Sequence, residues 1–487
     1  MFDIKQKSIL GLAWDLAGKI GLQGVGFFVS IILARLLSPE DFGILAIIMV
    51  FINLANVFLD FGFSTALVQK SEVTEEHYSS VFFMNIIAGI ILAAIVFMLA
   101  PFIANFYDNE TLTNLIRVMS ISFVINAFGN VTKAHLKREL NFKLITYSSI
   151  PSAFISGAIA LYMAYNGFGI WSLVIQIIIG QLLGNIFLFV GCQVKFRLKF
   201  NMNAAKDLWA FSSKIFSVGI LNSLFSNIDS LLIGKLLSPS TLGFYYRAKS
   251  LESFSYKYTG DAISNVLFAS LSSLQNDIEK FKNSTLSIFH MLSFVSFFIC
   301  GLLFINSYEI IVLLFSIKWE LSVPIFKILI FGGFIAQIGT LFYNVILSTG
   351  NVKKYTKMIY INYTLQFSNF FTLWIWGLNT YLITAIIIKI SILYLSIVYS
   401  SDILKLKEKL FKYIFKDFIQ YVTIIALVTL FRNNIYSSYE NLYLNLILSS
   451  FTYVAIFFII SKFRKNIGMS LIISELSNFN FKDIFSK

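Results

Sequence analysis

Apolar stretches of about 20 residues, separated by short polar breaks, run along this chain from end to end. Fourteen are read, at roughly 8–35, 44–68, 79–100, 113–132, 145–164, 168–193, 209–235, 244–268, 285–306, 323–347, 356–377, 380–400, 418–432 and 441–461. Each is near the ~20 residues that an α-helix needs to cross the hydrocarbon core of a bilayer. Backbone groups in lipid must be satisfied internally, so only helices or a closed barrel can span. Barrel strands alternate over ~10 residues, and these runs do not alternate. The pattern predicts an all-α integral membrane protein of about fourteen transmembrane helices.

The same pattern contains a repeat. Residues 34–43 read ARLLSPEDFG and residues 234–243 read GKLLSPSTLG, each placed between two apolar runs. Solenoid units recur every ~20–50 residues, far less than this spacing. A duplicated half is implied, as in transporters whose site lies between two homologous halves. The expected division is an N-terminal lobe over 1–200 (spans one to six) and a C-terminal lobe over 201–401 (spans seven to twelve). Residues 402–487 then hold an amphipathic linker, spans thirteen and fourteen and a tail. Within that linker, Lys405, Lys409, Lys412 and Lys416 fall on one helical side, which predicts a basic helix on the membrane surface.

Composition agrees with lipid as the solvent. Charged residues make up 13% of the chain and apolar residues 57%; a typical soluble domain has about 25% charged. The net charge of +13 is not spread evenly. With the N-terminus taken as cytoplasmic, the inside segments hold 25 Lys and Arg, while the outside loops hold one, Lys318. The positive-inside rule then places both termini in the cytoplasm. Basic loops against anionic headgroups account for the charge without nucleic acid. Cys192 and Cys300 both lie in apolar runs and read as small buried hydrophobes.

Charges inside a membrane cost roughly 2.5–3.5 kcal/mol each on insertion scales, which makes them functional candidates. The first span carries Asp15, Lys19, Gln23, Gly26 and Ser30 within a strip of about 80°. One reading is a helix lining a hydrated cavity. The other is a packing seam, with Gly26 and Ser30 as a small-residue pair and Asp15 neutralising Lys19. The seventh span repeats the design with Ser212, Gly219, Asn222, Ser226, Asp229 and Ser230. Asp60 closes the second span. The eighth is the most charged, with Arg247, Lys249, Glu252, Tyr256, Lys257 and Asp261. Arg117 lies in the fourth span and Lys389 in the twelfth. The candidate cavity cations are Lys19, Arg117 and Lys257, and the candidate polar lining is Asp15, Gln23, Asn222, Ser226 and Tyr256. Asp60 and Asp261 are candidates for ion coupling. There is no phosphate-binding loop, dinucleotide fingerprint, nucleophile elbow or metal-ligand spacing, so neither an enzyme nor a cofactor is expected.

ARLLSPEDFGILA followed by FLDFGFSTALVQK resembles the opening of the polysaccharide-transporter branch of the multidrug/oligosaccharidyl-lipid/polysaccharide exporter superfamily. NIDSLLIGKLLSPSTLGFYYRAKSLESF resembles its second half, and ISNVLFASLSSLQND and FSIKWELSVPIFKIL follow its habit. The resemblance covers about residues 5–400. It implies two six-helix lobes around a central cavity plus two further helices. It also implies a flippase for lipid-linked oligosaccharide in a bacterial cytoplasmic (inner) membrane, serving O-antigen, capsule or related glycans by alternating access. The implied partners are a polyprenyl-pyrophosphate glycan, membrane lipid and H⁺ or Na⁺ as coupling ion. A pyrophosphate needs cations, which is the role set for Lys19, Arg117 and Lys257. The alternatives are a multidrug or other amphiphile antiporter of the same superfamily, a membrane glycan polymerase or ligase, and a non-transporting scaffold. A polymerase predicts large outer loops bearing Arg or His, and the outer loops here are short.

Overall fold

The computed structural model describes residues 2–192, 199–256, 271–275, 277–432 and 441–478. All regular structure among them is helical. In the first compact unit, which ends at Tyr246, the helices are α1 (Phe2–Leu36), α2 (Pro39–Asp60), α3 (Phe63–Gln69), α4 (Glu75–Phe106), α5 (Thr111–Arg138), α6 (Phe142–Tyr165), α7 (Trp171–Gly191) and α8 (Met202–Leu236). Helix α9 (Pro239–Tyr256) begins in this unit and continues into the second. The second unit holds α10 (Ile278–Ile305), α11 (Ser307–Phe315), α12 (Ser322–Ser348), α13 (Val352–Leu404), α14 (Lys407–Phe431), α15 (Leu442–Phe463) and α16 (Ile467–Asn478).

Twelve described helices are long and apolar enough to cross a membrane. One of them, α13, is two crossings. It has 53 residues, and Gly377 breaks it at φ 80°, ψ −174°. At 1.5 Å per residue a straight α13 would run about 80 Å, far beyond a bilayer. Instead the chain doubles back. Asn369 Nδ2 donates to the Tyr381 carbonyl at 3.1 Å, and Thr372 and Thr384 hydroxyls meet at 3.1 Å. Of the expected eighth span, 244–268, the part beyond Tyr256 lies outside the described residues.

Ends and breaks follow local chemistry. Ser38 caps α2: its Oγ accepts from Asp41 N at 3.2 Å, while Asp41 accepts from Ser38 N at 2.9 Å. Ser238 Oγ accepts from Thr241 N at 3.1 Å, the same cap 200 residues later. The expected second span, 44–68, is broken at Phe61-Gly62, both at positive φ, into α2 and α3. The expected surface helix over 402–417 is not separate. Lys405 at φ 52° ends α13, and from Lys407 the chain runs as one helix to Phe431. No Gly or Pro interrupts residues 407–431, so nothing stops the helix from entering the following span.

Packing between helices uses small residues, as expected where lipid removes the hydrophobic drive between spans. A Cβ on Gly89 of α4 would lie 2.9 Å from Ala127 of α5. Asn185 of α7 sits against Gly129 and donates to the Ile125 carbonyl at 2.7 Å. Helix α8 packs on α2, α3 and α4, and Leu208 joins a buried cluster with Phe63, Leu67, Val81, Phe82 and Val131. In the second unit, Ser296 donates to Gln337 at 2.8 Å between α10 and α12, and Tyr453 of α15 donates to the Phe297 carbonyl at 2.9 Å.

Candidate functional site: the polar face of α1

Helix α1 has two faces with different surroundings. Gly11, Gly18 and Gly21 lie against α6, where added Cβ atoms would meet Phe142, Thr146 and Ile150. Thr146 Oγ1 donates to the Trp14 carbonyl at 3.0 Å, and Val29 covers Gly157. This seam holds α1 to the bundle. The strip of Asp15, Lys19, Gln23, Gly26 and Ser30 occupies the neighbouring face. A Cβ on Gly26 would meet nothing within 4 Å, so Gly26 is not a packing contact. The glycines of α1 that do pack are Gly11, Gly18 and Gly21.

Lys19 Nζ donates to Asp15 Oδ2 at 2.6 Å, with side-chain exposures of 65% and 28%. The pair therefore forms in open space, one helical turn apart. Gln23 and Ser30 are half-buried beyond it. Helix α8 is packed at its start, where Leu208 and Ser212 are buried, and open in its middle, where no residue from 213 to 228 is buried. In its most apolar window 11% of residues are buried, against 61% in α2, and Asn222 and Ser226 are exposed. Its last third is packed: Asp229 and Ser230 are buried, and Asp229 accepts from Ser230 N and the Tyr245 hydroxyl. Asp229 thus belongs to the packed end of the polar face.

The other sequence candidates divide. Asp60 carboxylate oxygens accept from Ser64 N at 3.1 and 3.2 Å and from its hydroxyl at 2.5 Å. That arrangement fixes the α2–α3 break. The Arg117 guanidinium lies over the Phe97 ring at 4.8 Å, between α4 and α5, away from the strip on α1. Lys257 and Asp261 lie outside the described residues. Tyr256 is the last residue of α9 described, by its backbone alone.

In the second unit, Glu252 Oε1 sits over Gly333 and Lys389 Nζ over Gly332, where Cβ atoms would come within 2.6 and 3.1 Å. Glu309 is 1% exposed and takes Arg432 Nη2 at 2.6 Å; Arg432 also donates to the Ile305 carbonyl at 2.9 Å. One face of α13, with Lys353, Thr356, Lys357, Tyr360 and Thr364, borders an open recess of about 660 Å³. Between α10, α12, α13 and α14 lies an apolar slot of about 310 Å³, with Phe297, Phe334, Ile390 and Phe415 among its walls. The Lys353, Lys357, Tyr360, Thr364 row has helical spacing and was open to sequence reading. The Glu309–Arg432 pair joins residues 123 apart, and no local spacing marks it.

A family described as "Polysaccharide biosynthesis protein" matches residues 32–324. The lipopolysaccharide biosynthesis protein WzxC of Escherichia coli (strain K12) is 23% identical over 346 residues, 69% of each chain. Among solved structures, the lipid II flippase MurJ in an inward closed conformation superposes with a TM-score of 0.72 at 16% identity, over 94% of this chain and 99% of that one. An inward-facing multidrug resistance MATE family transporter of the MOP superfamily superposes at 0.61 and 13% identity, over 82% of this chain and 99% of that one. At these identities the structures establish a shared fold.

Proposed function

From a chain that belongs to the polysaccharide biosynthesis protein family, with the fold of the MOP superfamily and the form of a multi-pass membrane protein, we propose a flippase. Its cargo is a polyprenyl-pyrophosphate oligosaccharide, carried across the cytoplasmic membrane by alternating access for O-antigen, capsule or related glycan export. The observation that carries this reading is the open Asp15–Lys19 pair beside unpacked Gly26 on a helix anchored by its other face. An ammonium held open to this degree within a spanning helix is costly unless water reaches it. A wet cationic face in a membrane suits an anionic headgroup, since Lys serves phosphate as a point charge. The apolar slot in the second unit suits an isoprenoid chain. Both termini lie in the cytoplasm, as the Lys/Arg asymmetry requires; cysteines after Ser238 should label from outside and after Lys354 from inside.

Deleting the gene should remove surface glycan and leave its lipid-linked precursor on the cytoplasmic leaflet, with unchanged drug susceptibility. Raised drug susceptibility with normal glycan would favour the multidrug antiporter, which shares this fold. Coupling to H⁺ or Na⁺ is tested by collapsing each gradient separately in vesicles and measuring transport.

A further inference from the structure

The two copies of the repeated motif touch each other, and they do so reciprocally. A Cβ on Gly43 would run into the Pro239 carbonyl, with Pro239 C at 2.6 Å and Gly243 N at 3.1 Å. A Cβ on Gly243 would run into the Pro39 carbonyl, with Pro39 C at 2.7 Å and Gly43 N at 3.2 Å. Each first helical turn is thus laid backbone to backbone against the other, glycine against proline and proline against glycine. Any side chain at either glycine would hold the turns apart, because the obstacle is a rigid carbonyl and not the end of a flexible side chain. A contact in which one residue meets its partner's equivalent and the reverse is the signature of two-fold symmetry.

One side of the contact is buried: Leu33, Ala34, Phe42, Ile47, Ile233 and Leu242 are all at most 4% exposed. Further ties sit at the same end: Tyr107 donates to the Leu231 carbonyl at 3.1 Å, and Lys235 pairs with Asp108 at 2.9 Å. Helices α1 and α8, the two with open polar faces, lead directly into these turns.

We propose that Gly43 and Gly243 are positioning residues whose missing side chains let the two repeat turns close on each other, forming the seal that shuts the transport path at its outer end. This rests on the flippase reading for the direction called outer, and on the geometry alone for the seal. Caps at Ser38 and Ser238 hold each turn in shape, so the turns move as preformed pieces. The proline at the start of each helix adds no backbone donor, so its neighbour can approach without leaving an N–H unpaired.

The test uses the full chain in cells, with Cys192 and Cys300 replaced by serine and alanine and Gly26→Cys as reporter, a position with open space around it. Gly43→Ala and Gly243→Ala, each alone, should raise labelling of the reporter by a membrane-impermeant maleimide added outside by about tenfold. Because the contact is reciprocal, the two rises should agree within about twofold. Gly24→Ala, where a Cβ also meets nothing within 4 Å, should leave the rate unchanged. Unchanged labelling in well-folded Gly43→Ala and Gly243→Ala proteins would overturn the seal. A rise seen only in inside-out vesicles would support the seal and overturn the orientation. Labelling needs no substrate, so its outcome stands apart from the identity of the cargo. Where either alanine variant fails to accumulate, Glu40→Cys with Ser240→Cys gives a second route. Bridging these two by a short bismaleimide should stop transport, and transport continuing through the bridged protein would overturn the proposal.

Discussion

Two ion pairs in this molecule have the same length and opposite settings. Lys19–Asp15 in the first unit and Arg432–Glu309 in the second both measure 2.6 Å. The first stands open, on one helix, with Lys19 65% exposed. The second joins α11 to the end of α14, with Glu309 1% exposed and a backbone carbonyl as third partner. Distance therefore does not tell how much of the fold rests on a pair; burial and partner count do. A buried carboxylate stripped of its cation is left as an uncompensated charge, so the second pair holds two elements together. An open pair contributes little to stability, so a variant at Lys19 tests the proposed ligand role without putting the fold at risk.

This contrast is breakable. The largest effect should come from Lys19→Ala, which should lower glycan export to background while protein level and thermal melting stay near wild type. If Lys19 only neutralises Asp15, the double change Asp15→Ala with Lys19→Ala should restore export lost in either single variant; full rescue would move this pair into the structural class. Arg432→Ala, which strands the buried Glu309 carboxylate, should destabilise the second unit by about 3 kcal/mol, seen as earlier melting in detergent and lower protein level. Replacing both partners, Glu309→Leu with Arg432→Met, should recover most of that loss, because no unpaired charge remains. Lys19→Arg should keep part of the export, about a tenth or more, since a point charge matters more here than shape.

The smallest effect concerns a third pair, at the surface, Asp277–Lys280 at 3.1 Å. The Lys280 backbone N–H and ammonium hold the Asp277 carboxyl below its usual 3.8. A depressed carboxylate stabilises the fold above its unfolded value and stops doing so as pH falls through the depressed one. Asp277→Asn should therefore leave the pH dependence of melting unchanged from pH 7 to 5 and flatten it slightly below pH 4.

Much of this architecture was legible because lipid leaves so few choices. The runs at 113–132 and 145–164 fall inside α5 and α6, the run at 441–461 starts at the cap of α15, and the short break expected at 378–379 lies beside the turn at Gly377. What stayed hidden was which small residue touches what. Gly18 and Gly26 are both glycines on one apolar helix, yet one carries α6 and the other faces open space. Periodicity gives each a direction, and only the neighbouring helix decides what fills it. The same holds for the motif Ser-Pro at 38–39 and 238–239. Sequence reading made it a repeat, and each copy caps its own helix. That the two copies meet each other is a fact of tertiary placement. Asp60 shows the same limit: its charge and place in the span are read from sequence, while the Ser64 backbone and hydroxyl that its oxygens accept from are seen only in the structure.

The fold-back at Gly377 bears on how the protein is made. Its arms share hydrogen bonds at Asn369, Thr372, Tyr381 and Thr384, within a few residues of the bend. Neither arm has a hydrophilic tether at the bend that would let it wait for the other at the translocon. The two arms should therefore enter the bilayer as a single hairpin, with Lys353 and Lys354 at one foot and Lys405 and Lys407 at the other, and the same basic charge at both feet favours one side for both. A tag or protease site placed at the bend would need to drag polar residues through that joint step, so an insertion there should lower the yield of the protein.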